Sequence, residues 1–243
     1  MADTGKSKGR VSVKAGMAAL CWSFAATCAG ETLHIGRSQA ESELTDRAET
    51  VLRQAYGALG DKVVFVKYPL RRSLVMADAG MIDGDAMRIE DIEPEFKNLI
   101  RLKTPIVYFN MALYARAPCP AAFERKDLQG KHLAYERGVL AFERWAADTP
   151  AAEAADTEDV MKMLERDVVD FGMLVDVEGD ANLRTGNHPA LCRVQPFAVR
   201  VNLYHYLHRS HRELAARLEK VLQAMARSGD IRRINEPPGA ASR

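Results

Sequence analysis

An alternation of residue periods near the start of this chain constrains its fold more than any other feature. Thr32–Gly36 alternates as a short strand, and Leu44, Ala48, Val51, Leu52, Ala55 and Leu59 then recur at helical spacing until Gly60. Val63-Val64-Phe65-Val66 is a continuous apolar run, expected of a strand covered on both faces of a parallel sheet. Pro69 fits the first turn of a second helix, with Leu70, Leu74 and Ala77 on one face and Gly80 at its end. Ile82–Ala86 supplies a third strand. Strand and helix in strict βαβαβ order place the chain in the α/β class with an open parallel sheet. At the first strand-to-helix turn Ser38 is expected to cap the helix, Glu41 completing a capping box.

Ahead of this alternation lies a segment of another kind. Lys6, Lys8, Arg10 and Lys14 precede an uncharged stretch from Ala15 to Ala29, which ends in the small residues around Cys28 and Gly30. A basic opening, an apolar run of about 7–15 residues and small residues at the cut are the marks of a secretory signal peptide. The run is too short to span a bilayer, which takes about 20 apolar residues. Residues 1–30 are therefore expected to direct the chain to the periplasm and to be removed. Of 243 residues, 213 then remain, with 30 Lys/Arg against 32 Asp/Glu. A net charge of −2 with no basic block gives no electrostatic case for nucleic acid or an anionic membrane surface. Cys21 and Cys28 leave with the leader. Cys119 and Cys192 remain, either paired in an oxidising compartment or free and buried.

Downstream, Leu99–Leu102 and Ile106–Ala115 read as strands, the second running into Ala117-Pro118-Cys119-Pro120. Two prolines there forbid regular structure and mark a boundary. A smaller α/β unit follows: strand Leu133–Tyr135, helix Val139–Ala147, surface loop Asp148–Ala155, helix Thr157–Arg166 and buried strand Phe171–Val175. Val194–Val201 reads as a further strand. Ser210-x-x-Glu213 forms a capping box before a helix bearing Leu214, Leu218, Val221, Leu222 and Met225, which Gly229 ends. The tail Glu236–Arg243 reads as frayed.

Four local sequences in this order resemble the amino-acid-type (family 3) extracellular solute-binding proteins of ABC importers. They are Tyr68-Pro69-x-x-Arg72-Ser73-Leu74, Gly80-Met81-Ile82-Asp83-Gly84-Asp85 followed by Arg88, Asp127-Leu128-Gln129-Gly130-Lys131-His132-Leu133, and the closing helix from His211 to Gly229-Asp230-Ile231. The resemblance implies a two-lobed, periplasmic binding protein-like (type II) α/β fold, each lobe a small sheet flanked by helices. Lobe I would comprise 31–116 plus 197–243 and lobe II 117–196, joined by two hinge strands, Ile106–Ala115 and the segment around Gln195–Val201. Both Cys119 and Cys192 would then lie at the hinge end of lobe II, where a disulfide and two free thiols both stay open.

The same resemblance directs attention to a cleft between the lobes. Arg88, just beyond a strand end, is the first candidate to fork onto a ligand carboxylate, against the reading of a solvated surface arginine. Arg72 near the start of the second helix, Ser38 and Gln39 at the first strand-to-helix turn, Tyr68 as a stacking ring, and Asp85 within the strand-entry motif complete the lobe I set. Arg137 and Asp176, each near a strand end, are the lobe II candidates, Asp176 for a ligand amine. His205-x-x-His208-x-x-His211 has helical spacing that evokes a metal site, but packing or surface roles are the preferred reading. No GxSxG, HExxH or P-loop sequence occurs, so no catalytic residue, cofactor or metal is assigned. The expectation is a monomeric, non-enzymatic protein that captures a small polar, anionic or amino-acid-like ligand and serves an ABC permease or a membrane sensor. The alternatives are a secreted, dehydratase-like enzyme on the same fold and a periplasmic sensory binding protein.

Overall fold

Leu33 and Ile35, both wholly buried, point to the same face of β1 (Thr32–Ser38), which lies between two parallel partners. In this computed structural model, which describes residues 1–2 and 30–236, those partners are β2 (Lys62–Tyr68) and β3 (Gly84–Arg88). The signal-peptide and frayed-tail expectations fall mostly on residues 3–29 and 237–243, outside the described residues. Helices α1 (Glu43–Ala58) and α2 (Leu70–Asp78) make the two crossovers. The apolar run Val63–Val66 lies in β2, but β2 is the edge of the sheet and Val64 is 44% exposed. A continuous apolar strand is thus half-covered here, partly by Arg53 of α1, whose guanidinium sits over the Phe65 ring. Ser42, not Ser38, caps α1, its hydroxyl accepting from the Thr45 amide. The reason is register: β1 continues to pair with β2 through Ser38 and Tyr68, so the helix starts later. Glu41 instead meets the Arg37 guanidinium at 3.0 Å.

Beyond β3 the chain forms β4 (Leu99–Arg101) and the long β5 (Val107–Arg116), then β6 (Leu133–Glu136), α3 (Leu140–Trp145) and β7 (Ala151–Ala154). α4 (Thr157–Glu165), β8 (Phe171–Val175), α5 (Asp176–Arg184) and β9 (Leu191–Arg193) follow. The stretch 148–155 is therefore not a plain loop: its Ala-rich end adds β7 in parallel to β6. α5 and β9 carry little periodic apolar signal and are new relative to the sequence reading. β10 (Val199–His208) begins later than Val194, because the Gln195-Pro196 segment is loop. α6 (Arg212–Ser228) and α7 (Asp230–Asn235) finish the described chain. Ser210 does not cap α6; its hydroxyl meets the ring of His208, and a short 3₁₀ turn, Arg209–His211, leads into the helix.

The strands make one path, β2-β1-β3-β10-β5-β8-β6-β7. β5 and β10 pair antiparallel at its middle, from Leu203 opposite Val107 to Val199 opposite Met111. The parallel groups β2-β1-β3 and β8-β6-β7 lie on either side, each with its own helices. A single apolar cluster runs from Leu52 and Leu218 through Phe109 and Met111 to Phe142 and Phe171, so the core is continuous across the β5–β10 pair. Cys119 and Cys192 are joined, with a Cα–Cα distance of 6.0 Å. Among the described residues no helix is long and apolar enough to cross a membrane.

Candidate functional site

The carboxyl ends of β1, β3, β6 and β8 converge on one cavity of about 100 Å³. Each end contributes a residue to the wall: Ser38, Arg88, Glu136 and Val175. Ligands in open α/β sheets bind outside the carboxyl ends of strands, and two such sheet halves face each other here. The remaining wall is mainly apolar, with Leu44, Leu70, Phe109, Val139 and Leu140, while Glu178 of α5 adds a second carboxylate. The rim is closed by contact between the two halves. Gly138 (φ +83°) abuts Leu70, where a Cβ would come within 3.4 Å, and a positive φ suits glycine. Arg144 of α3 donates to the carbonyl oxygens of Glu90 and Asp91 at 3.0 and 2.8 Å.

Arg88 is 8% exposed and its guanidinium is already engaged. It donates to the Met87 and Leu70 carbonyls at 2.8 and 3.0 Å and pairs with Asp85 at 3.0 Å. Asp85 is fully buried, also takes the Ser73 hydroxyl at 2.5 Å, and is not part of the cavity wall. Burial raises its carboxyl above the usual range, opposed by Arg88 and Ser73. Arg88 thus serves first as the counter-ion of a buried carboxylate, which leaves little of its fork for a ligand. Glu136 is in the opposite condition. Burial, then the charges of Glu178 and Asp156, push it up to about 7. Burial also raises Glu178, although the hydroxyls of Ser42 and Thr157 pull the other way.

Of the residues expected at the site, only Ser38 and Arg88 line the cavity. The Ser38 hydroxyl accepts from the Ala40 amide at 3.1 Å. Gln39 is exposed; its amide bonds to the Tyr68 carbonyl. Tyr68 packs beside the apolar cluster under α2. Arg72 points to solvent. Arg137, in the turn just after β6, is 69% exposed and pairs with Glu153 at 2.8 Å. Asp176 accepts from the Asn110 backbone and side-chain amides, at 3.2 and 2.8 Å, and so ties α5 to β5. Arg37, near the end of β1, is held by Glu41 and Glu49. The three closely spaced histidines are not on a helix and do not converge: His205 meets Tyr56, His208 meets Ser210 and His211 meets Asp83. The residues that sequence reasoning missed are Glu136 and Glu178. Glu136 is the last residue of β6, next to the chosen Arg137, so the strand end itself was the signal; Glu178 belongs to a helix with a weak apolar pattern.

Against known structures the topology is decisive. A histidine kinase sensor domain with similarity to periplasmic binding proteins superposes with a TM-score of 0.70 at 17% identity, covering 85% of this chain and 95% of that one. The chain has the two-lobed periplasmic binding protein fold. A probable amino-acid ABC transporter extracellular-binding protein from Bacillus subtilis shares this binding-protein fold, with a TM-score of 0.69 at 17% identity over 84% of this chain and 96% of that one. An uncharacterised protein of Shewanella oneidensis is 23% identical over 202 residues, 80% of this chain and 76% of its own length. No protein-family model matches the chain. In the terms of the binding-protein fold, β5 and β10 are the crossing strands and the cavity is the interlobe cleft.

Proposed function

We propose that this chain is an extracytoplasmic solute-binding protein that captures a small molecule in its interlobe cleft, with lobes of residues 31–116 plus 197–243 and 117–196. The observation that carries the reading is the cavity itself: strand ends from both lobes meet around an apolar wall with few polar groups, the usual make-up of a small-molecule site. Clamping between lobes by hinge closure follows from the two adjacent crossing strands. The basic and apolar leader in residues 1–30 supports a periplasmic location. The loaded protein would act as a monomer, handing its ligand to an ABC permease or reporting it to a membrane sensor. The fold is shared by a transport protein and a sensor domain, so both outputs rest on the same capture step. Capture without turnover is the reading for the cleft.

Thermal-shift screening of the purified protein against a metabolite panel tests this. A true ligand at a hundredfold excess over its dissociation constant stabilises by about 2.7 kcal/mol. Small-angle scattering should show a compact particle with that ligand and a more open one without it. Conversion of the stabilising compound to product, followed by mass spectrometry, would establish the dehydratase-like alternative instead.

A further inference from the structure

The charges around the cleft do not balance. Among the residues lining the cavity only Arg88, Glu136 and Glu178 carry charge. Arg88 is paired with Asp85 and donates to two carbonyls through its terminal nitrogens, with only Nε left unpartnered, so its charge is answered within the fold. Glu136 and Glu178 repel one another, and the nearby charges of Asp156 and Asp176 are negative as well. Two carboxylates therefore sit in a largely apolar cavity, and neither forms an ion pair among the described residues. The same two residues and Ser42 also line an adjoining surface depression that adds Glu41, Glu43, Asp156 and Glu158 against one cation, Arg184, so the approach to the cleft is acidic on balance. A cleft lined by one sign of charge between low-dielectric walls concentrates the opposite sign.

We propose that the cleft takes an organic cation, an amine or guanidine on a hydrocarbon body, whose charge is received by Glu136 and Glu178 and which needs no carboxylate of its own. This inference rests on the reading of the cleft as a ligand site. The apolar side chains Leu44, Leu70, Phe109, Val139 and Leu140 receive the hydrocarbon part. The unneutralised pair supplies charge-assisted hydrogen bonds to the head. Glu136, pushed up to about 7, shares its proton with solvent near neutrality, so a cation arriving below that pH must displace it. Glu178 on α5, Asp156 ahead of α4 and Arg88 on β3 are the charged groups around it.

The test uses matched probes of opposite charge on the purified protein: phenethylamine and agmatine as cations, 3-phenylpropionate as an anion, and arginine as agmatine with a carboxylate added. Calorimetry and thermal shift should show binding of the cations, weaker or no binding of 3-phenylpropionate, and no gain from agmatine to arginine. Cation affinity should rise several-fold from pH 6 to pH 8. Glu136→Gln and Glu178→Gln should each weaken the cations at least about tenfold, and Glu136→Gln should also flatten the pH dependence. Preferred binding of 3-phenylpropionate or arginine, or cation affinity unchanged in both Gln variants, would overturn the ligand class while leaving the cleft as the site. Failure of all four probes, with no stabilising compound in the wider screen, would overturn both readings together.

Discussion

Asp85 lies at 0% exposure, held by the Ser73 hydroxyl and the Arg88 guanidinium. Removing one partner of a buried pair strands the other charge, which costs about 3–5 kcal/mol. Asp85→Ala and Arg88→Ala are each expected to destabilise by that order in urea unfolding. The double variant should cost clearly less than their sum, because the stranded charge is gone. Arg88→Ala is thus a stability variant before it is a binding variant. Nearby, the His205 ring donates from Nδ1 to the Asp85 carbonyl at 2.8 Å, so Nε2 accepts from the Tyr56 hydroxyl at 2.7 Å. Burial holds this imidazole down to about 4, which keeps it neutral in the fold. Its unfolded counterpart titrates near 6.5, so the unfolded chain binds the extra proton first as pH falls. The contribution is intact above about 6.5 and is lost between there and about 4, amounting to about 3 kcal/mol. Histidine ring resonances followed by NMR should show His205 static from pH 8 to pH 5; a midpoint above 6 would contradict this.

At the scale of elements, Ser42 and Ser38 offer a direct comparison. Ser42→Ala removes the α1 cap and should cost about 1 kcal/mol, whereas Ser38→Ala should leave thermal stability of the unliganded protein nearly unchanged. Equal effects would mean that the helix starts where the Ser38-Glu41 pattern placed it. The pattern misled because pairing between β1 and β2 outlasts the point where local sequence first permits a helix. Most of the other elements were legible from period and punctuation: α1, α4, β5, β8 and α6 lie within a few residues of their expected bounds. β7, with its run of alanines, and α5, which opens with two acidic residues in its first turn, gave no such signal, and their form depends on neighbours distant in the chain. The site was less legible than the fold. Charge type alone favoured Arg72 and Arg137, which face solvent, while burial, visible only in three dimensions, singles out Glu136 and Glu178.

For the whole molecule, the bond between Cys119 and Cys192 closes a loop with a sequence separation of 73 residues. In the chain-entropy model such a link is worth about 4 kcal/mol. The Cys119→Ser/Cys192→Ser double variant should lose stability of that order, and the unmodified protein should show no free thiol from these two residues when titrated in denaturant without reductant. The strand path has a further consequence, for the time order in which the protein is made. β10 is the last strand synthesised, yet it is the central seam: it pairs with β3, β4 and β5, and Tyr206 reaches back to Asp85. Contacts so remote in sequence must wait for most of the chain and are costly to close early. A chain emerging from its amino terminus, whether from a ribosome or through a membrane channel, therefore holds two unjoined half-sheets until residue 208 has followed. The two halves lock together only when this last strand arrives.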